Sequence, residues 1–153
     1  DYSAIIHSPI GMLGIQTSEQ YLHRIDFLTE QVRARAPENE LAAEVVDQLT
    51  QYFANPMFTF TIPCDMDGTT YQHRVWKRLK TISAGHYMTY TDVAKKLRSG
   101  ARAVGGACRS NPIPIIVPCH RVVSKAGVGG YDGDWGAGKV NIKKWLLRHE
   151  GVI

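Results

Sequence analysis

The sequence predicts an α+β protein, with a small N-terminal domain of short antiparallel sheet plus helix followed by a mostly helical C-terminal domain. Apolar residues alternate in short runs over residues 2–28, which is typical of strands. They then recur at helical spacing over 41–53, and helical spacing dominates from residue 71 onward. We expect the domains at residues 1–55 and 70–153, joined by a linker at 56–69.

In the first domain, three short apolar runs predict strands, with Gly11 and Gly14 as turn points. The runs lie at residues 4–6, 12–15 and 21–25. Four apolar residues spaced by four predict the helix: Leu41, Val45, Leu49 and Phe53. Pro56, Pro63 and Gly68 favour the linker, which has room for one strand at 58–62.

The second domain contains four predicted helices, at residues 71–82, 91–97, 101–109 and 140–149. Thr91 suits the N-cap of the second helix, and Gly151 follows the last. Ser99-Gly100 separates the second helix from the third, so this pair forms a helix-turn-helix pattern.

The third of these helices is unusually small-sided. It contains Gly105 and Gly106, which cost about 1 kcal/mol each relative to alanine. Such a cost suits a backbone that approaches another chain or a sugar-phosphate backbone closely. Its long polar side chains are Arg102 and Arg109, too few to read base edges. The pattern therefore favours DNA binding directed by shape or backbone, with low sequence specificity.

Composition and charge narrow the class of protein. The apolar share of 44% and the charged share of 21% are those of a globular chain. Up to residue 67, ten acidic and three basic residues give −7; from residue 68, fifteen basic and four acidic residues give +11. The basic part suits a polyanion, although a solvated basic face is the alternative. We expect no membrane segment and no signal peptide.

The cysteines Cys64, Cys108 and Cys119 are odd in number and lack CxxC spacing. This argues against a disulfide framework and against a cysteine-rich zinc site, so we expect no bound metal. A reducing compartment is the natural expectation, hence a cytoplasmic protein, or one associated with the nucleoid in a prokaryote.

The segment from Asn111 to Val123 is the most informative part of the chain. Three prolines lie in its apolar run and exclude a central strand, so a rigid, extended segment that holds Cys119 is expected. A small buried core residue is the alternative reading of that cysteine. His120 and Glu150 are candidates for a base and its orienting acid, and His149 competes with His120.

The glycine-rich stretch 127–138 resembles a phosphate-binding loop only superficially. Val140 stands where such a loop needs Ser or Thr, and no apolar strand precedes it. A flexible lid beside Cys119 is the better interpretation.

With these motifs assembled, the chain resembles the O6-alkylguanine-DNA alkyltransferases. The likeness is close over residues 71–151 and extends only to the general plan before them. It rests on Pro-Cys-His-Arg-Val-Val at 118–123, on Arg-Ala-Val-Gly-Gly-Ala at 102–107, on Asn-Pro at 111–112, on Tyr90, and on 145–151. The resemblance implies a winged helix-turn-helix-like second domain and single-turnover transfer of an alkyl group from O6-alkylguanine, with O4-alkylthymine left open. It implies no cofactor.

The resemblance also implies a role for each matching residue. Cys119 would accept the alkyl group, His120 would take its proton through a water, and Glu150 would polarise that histidine. Asn111 would hold the segment before the cysteine. Tyr90 would help to rotate the target nucleotide and donate a proton toward guanine.

The DNA and pocket contacts follow in the same way. Arg102 would fill the space that the flipped base leaves, in a minor-groove complex with double-stranded DNA. The implied DNA-binding set is Arg102, Tyr90, Thr91, Ala101, Gly105, Ser124 and Lys125. The implied walls of the alkyl and base pocket are Val122, Tyr131, Asp132 and Cys108. A monomer is expected, with cooperative binding along DNA left open.

Two features depart from the family pattern: the loop 128–139 is longer than usual, and the ligands of an N-terminal zinc are not found at matching positions. Tolerance for bulky alkyl groups therefore stays open. Three other classes of protein share part of this pattern: a lesion-binding relative that lacks the acceptor cysteine, a helix-turn-helix regulator, and a cysteine hydrolase. Cys119 counts against the first, the small-sided helix against the second, and the basic DNA-facing half against the third.

Overall fold

The computed structural model describes residues 1–29, 31–129 and 137–153, and it divides into two compact units, Asp1–Asp67 and Gly68–Ile153. The first unit holds a three-stranded sheet and one helix, and the second holds helices with a two-stranded sheet. The predicted α+β class is confirmed. Within the described ranges, no helix is both long enough and apolar enough to cross a membrane.

The sheet of the first unit is an antiparallel meander of β1 (Ala4–Ser8), β2 (Gly11–Thr17) and β3 (Leu22–Leu28). Gly11 opens β2 with a φ of 104°, a left-handed conformation that glycine adopts without strain. Gly14 lies inside β2 rather than at a turn, so that prediction is wrong. A Cβ there would lie 2.6 Å from the ring of Tyr2, so this glycine leaves room for an aromatic ring.

Helix α1 (Glu40–Ala54) begins after Asn39, whose side-chain oxygen accepts a hydrogen bond from the amide of Ala42 at 2.8 Å. Its buried apolar face consists of Ala42, Val45, Leu49 and Tyr52. Tyr52 therefore takes the core position expected for Phe53, because alternating steps of three and four residues follow a helix face better than steps of four alone.

Residues 56–67 pack into the first unit instead of forming a free linker. The side-chain amide of Gln48 makes two hydrogen bonds of 2.9 Å with Thr61, and the carbonyl of Pro63 accepts from the amide of Leu22 at 2.9 Å. Phe60 packs against the ring of Tyr52 at 5.4 Å. The strand predicted at 58–62 is absent, because these contacts hold the segment through side chains instead of a ladder.

In its described residues, 68–129 and 137–153, the second unit contains four α-helices and a pair of two-residue parallel strands. The helices are α2 (Thr70–Leu79), α3 (Tyr90–Leu97), α4 (Ala101–Arg109) and α5 (Ala137–His149), and the strands are β4 (Met88–Thr89) and β5 (Val122–Val123). The buried indole of Trp76 donates to the carbonyl of Ala107 at 2.8 Å and so joins α2 to α4. A Cβ at Gly68 would lie 2.5 Å from that indole.

The N-cap of helix α3 lies two residues earlier than the sequence suggested. Thr89 is its N-cap: the Thr89 hydroxyl accepts from the amide of Asp92 at 3.0 Å, and the Asp92 carboxylate accepts from the amide of Thr89 at 3.1 Å. Thr91 lies inside the first turn. Arg98 ends the helix in a left-handed conformation with φ of 54°, and two further residues lead into α4.

Candidate active site

Cys119 begins a short 3-10 helical turn, Cys119–Arg121, and is 4% exposed. Its amide donates to the carbonyl of Val117 at 2.8 Å across Pro118, whose φ of −83° and ψ of 67° are those of an inverse γ-turn. The prediction of an extended segment before Cys119 is therefore wrong. Prolines supply no amide donors for a ladder, and the remaining amides bond within the segment.

A second tight turn, at Ile115, precedes this one. The amide of Ile116 donates to the carbonyl of Pro114 at 2.9 Å, and Ile115 between them has a φ of 75°. This is the rare, left-handed form of the γ-turn. A β-branched residue at positive φ is a backbone outlier, and such strain costs about 1–3 kcal/mol.

Asn111 connects the end of α4 to the turns before Cys119. Its backbone amide donates to the carbonyl of Cys108 at 3.2 Å, and its side-chain amide donates to the carbonyl of Val117 at 2.8 Å. Its side-chain oxygen accepts from the amide of Ile113 at 3.0 Å. Asn111 is buried and its polar groups are hydrogen-bonded. It therefore ties the segment before Cys119 to the end of α4.

Next to Cys119, a buried cluster joins His120, Arg121 and Glu150. The imidazole Nε2 lies 2.8 Å from one carboxylate oxygen of Glu150. The Arg121 guanidinium donates to both oxygens, at 2.8 Å and 2.9 Å, and to the carbonyl of Ile82 at 2.7 Å. Two parallel hydrogen bonds from a guanidinium hold a carboxylate in one orientation and favour its ionised form.

The protonation states follow from this geometry. Burial alone would raise the pKa of Glu150, but hydrogen bonds from His120 and Arg121 outweigh it and hold the pKa below its ordinary 4.5. Burial lowers the pKa of His120 below 6.5 despite the nearby carboxylate, so its ring is neutral. A carboxylate only accepts, so the proton of that ring sits on Nε2. Nδ1 is then an acceptor, and it is buried with no hydrogen-bond partner among the described residues.

Lys143 is a member of this site that the sequence analysis missed. It is fully buried on α5, and its ammonium donates to the carbonyl of Val122 at 2.7 Å and to the hydroxyl of Tyr90 at 3.4 Å. Burial lowers its pKa to about 8, although the electrostatic interactions with Cys119 and Cys108 oppose this shift. Lys143 precedes the buried Leu146 and Leu147 by three and four residues, and that helical spacing was the available signal.

Tyr90 and Cys108 line the same part of the unit. Burial, and then the interactions with Cys108 and Cys119, raise the pKa of Tyr90, so the phenol keeps its proton. Burial and the interaction with Cys119 likewise raise the pKa of Cys108, which stays a thiol. Gly129, one of the glycines near Tyr131 in the sequence, has φ of 80°, and a Cβ there would lie 3.1 Å from the ring of Tyr90.

The other residues that the sequence predicts for the pocket and for DNA contacts fall in three places. Val122 is fully buried, whereas Tyr131 and Asp132 lie outside the described residues. On α4, Arg102 is exposed, and Ala101 and Gly105 are half-buried. Thr91 lies on α3, and Ser124 and Lys125 follow β5.

A Cβ built at either of the two α4 glycines would meet no packed neighbour among the described residues. Apart from its chain neighbours and the backbone of α4 itself, a Cβ at Gly105 or at Gly106 has no atom of the described residues within 4 Å. Packing against the described part of the chain therefore does not require these two glycines, and the face that they leave open is available to a partner.

His149, the competing base, stacks on Trp145 with ring centroids 4.8 Å apart, whereas His120 contacts Glu150. Over residues 1–29, 31–129 and 137–153, no group of three or more His, Cys, Asp or Glu side chains is placed to hold a metal ion.

Fold and site together define a protein that buries a cysteine thiol beside a histidine–carboxylate pair. In the same unit, helix α4 presents an open face. Two family models match the chain: the DNA-binding domain of 6-O-methylguanine DNA methyltransferase over residues 70–152 and its ribonuclease-like domain over residues 2–66. The chain belongs to this family.

Comparison with individual proteins supports the same family. A methylated-DNA–protein-cysteine methyltransferase of Shigella flexneri is 50% identical over 111 residues, which span 70% of this chain and 62% of that protein. One from Methanosarcina acetivorans is 37% identical over 98% of both chains. The crystal structure of Mycobacterium tuberculosis OGT in complex with DNA superposes with a TM-score of 0.80 at 38% identity, over 95% of this chain and 90% of that one.

Proposed function

We propose that this protein repairs alkylated DNA by transferring the alkyl group from O6 of guanine to its own Cys119, once per molecule. The observation that carries this proposal is the buried Cys119 directly followed by His120, whose ring contacts the buried carboxylate of Glu150. The names of the curated relatives support the same reaction class.

Activation of the thiol uses the free lone pair of His120. The thiol proton of Cys119 passes through a bridging water to Nδ1, the buried acceptor atom without a partner among the described residues. The carboxylate of Glu150 stabilises the imidazolium that forms, and Arg121 keeps that carboxylate ionised and oriented.

In the transfer step, the thiolate attacks the alkyl carbon, the carbon–O6 bond breaks, and its electron pair goes to guanine. The protonated phenol of Tyr90 donates a proton to the departing base, and Lys143 donates a hydrogen bond to the same hydroxyl. The product is a thioether, which water does not cleave, so the protein has no route back to the free thiol.

DNA binding uses the open face of α4. We infer that α3 and α4 act as a helix-turn-helix in the minor groove of duplex DNA, with Ala101 and Gly105 against the backbone and Thr91 near it. The absence of neighbours around the glycines supports this inference. Ser124 and Lys125 add contacts to phosphates, so affinity falls as salt rises.

The alkylated base must leave the stack to reach a buried thiol, at a cost of a few kcal/mol. Arg102, exposed on α4, fills the space left behind, and Tyr90 helps to rotate the nucleotide. Val122 and Cys108 line the pocket, and the resemblance to the family implies Tyr131 and Asp132 as further pocket residues. Because the DNA contacts are made to backbone and shape, one copy binds with little sequence preference.

The test is intact mass spectrometry after mixing the protein with a duplex that contains one O6-methylguanine. We expect wild type to gain about 14 Da, the mass of one methylene, and Cys119→Ala and Cys119→Ser to gain nothing while still binding the duplex. A duplex-bound wild type without a mass change would instead indicate a lesion-binding protein. A mass gain in Cys119→Ala would place the acceptor elsewhere.

A further inference from the structure

The turn at Ile115 is unusual because a β-branched residue occupies a left-handed backbone conformation. Glycine adopts a φ of 75° without strain, whereas a β-branched side chain is the least suited to it. The Ile115 side chain is 1% exposed, and Ile113 and Val117, two residues before and after it in the chain, are fully buried. Burial of this side chain is therefore what keeps the backbone in an unfavourable conformation.

Hydrogen bonds relay this turn to the acceptor cysteine. The bond from Ile116 to Pro114 closes the turn, and a bond of 3.0 Å from the amide of Val117 to the carbonyl of Ile113 encloses it. The carbonyl of Val117 then accepts from both the Asn111 side chain and the amide of Cys119, each at 2.8 Å. The direction of the Val117 carbonyl thus depends on the turn at Ile115. This carbonyl in turn sets the position of the Cys119 amide.

We propose that Ile115 is a positioning residue: its buried side chain holds the left-handed turn, and the turn aims the Val117 carbonyl that places Cys119. This inference rests on the proposed transfer to Cys119. Ile115 touches no reacting atom, so it acts only through the backbone of the segment.

A single-turnover reaction separates positioning from folding. The amplitude of alkylation counts the folded, competent molecules, and the rate constant reports how well the thiol is placed in them. We would measure both with excess duplex carrying O6-methylguanine, together with duplex affinity and melting temperature, for Ile115→Gly, Ile115→Ala and Ile115→Val. Ile113→Ala is the matched control, because it removes a buried isoleucine from the same segment at a residue with ordinary φ.

We expect Ile115→Gly to fold and to bind duplex as wild type does, with a rate constant about tenfold to a hundredfold lower, because misplacement of a reacting group by about 1 Å costs that much. Ile115→Ala should be slow as well and melt below Ile115→Gly, since alanine loses the packing and keeps the strain. Ile115→Val, which keeps the branched side chain, should react at the wild-type rate. Ile113→Ala should lose amplitude or melting temperature but keep its rate.

Two results would overturn the proposal. Wild-type rate constants in both Ile115→Gly and Ile115→Ala would show that the side chain serves packing alone. A higher melting temperature for Ile115→Ala than for Ile115→Gly would show that the backbone is not strained. If wild-type protein itself gains no alkyl group, the proposed function fails first, and the difference in melting temperature still tests the strain.

Discussion

Glu150→Gln is the substitution that tests the buried cluster most directly. The carboxylate accepts three hydrogen bonds of 2.8–2.9 Å, one from His120 and two from Arg121. Glutamine offers one oxygen and one donor NH₂, and Arg121 donates to both carboxylate oxygens, so in either orientation of the amide an N–H of Arg121 would face the NH₂ group. Arg121, only 9% exposed, would also keep a buried charge without its counter-charge.

Removal of one partner from a buried ion pair costs about 3–5 kcal/mol, a large part of the stability of about 5–15 kcal/mol that an ordinary domain has. We therefore expect Glu150→Gln to lose about 3–5 kcal/mol of unfolding free energy. The double variant Arg121→Met/Glu150→Gln should lose less than Glu150→Gln alone, because no unpaired charge remains.

The assay is urea unfolding followed by tryptophan fluorescence. All three tryptophans, Trp76, Trp135 and Trp145, belong to residues 68–153, so the signal reports the unit that contains Glu150. Asp92→Asn is the control, since it removes an exposed carboxylate from the same unit and should cost clearly less.

Acid pH gives an independent check with a defined sign. Because the folded pKa of Glu150 lies below 4.5, the unfolded chain binds the proton first, and the stabilisation by Glu150 is lost as pH falls below that value. The gap between wild type and Glu150→Gln should therefore narrow in acid. A cost no greater than that of Asp92→Asn at neutral pH, or a gap that does not change with pH, would refute the reasoning.

Three further predictions follow from the same structure. Gly105→Ala should keep or raise stability by up to about 1 kcal/mol, since a helical glycine is replaced in open space, whereas Gly105→Leu should stay folded but bind duplex DNA more weakly in a fluorescence-anisotropy titration. Arg102→Ala should slow repair of O6-methylguanine in duplex much more than dealkylation of a free O6-alkylguanine base, because only the duplex requires flipping; equal losses would remove Arg102 from that role. Lys143 has its pKa lowered from 10.5 to about 8, so wild type should gain up to about 3 kcal/mol of stability between pH 8 and 10.5 relative to Lys143→Met, because the unfolded chain binds the extra proton there. A constant difference across that range in urea titrations would contradict the shift.

Local spacing in the sequence was enough for several elements. Helix α4 begins and ends at the predicted residues, Ala101 and Arg109, because its glycines lie in the interior and a Ser-Gly turn precedes it. The N-cap of α3 could also have been placed. Thr89 has an acid three residues later, at Asp92, as a capping box requires, whereas Thr91 has Ala94 at that position.

Other local predictions failed where side-chain packing decides. Phe58 and Phe60 look strand-like, but the segment is held by Gln48 and Tyr52 from α1 instead of by a neighbouring strand. Gly14 looks like a turn residue, but it lies within β2 beneath the ring of Tyr2. A turn residue and a space-making residue are both glycine in a sequence, and only the neighbouring atoms distinguish them.

The α+β class, the basic second half and the motif around Cys119 were predictable from the amino-acid sequence alone, because composition, periodicity and adjacent residues are local properties. The tertiary structure decided how the site works. It brought Glu150 to His120 across 30 residues and Lys143 to Tyr90 across 53, and it folded an apolar, proline-rich run into two γ-turns. Charge states followed from this assembly, since a pKa depends on burial and on partners that come together only when the chain is folded.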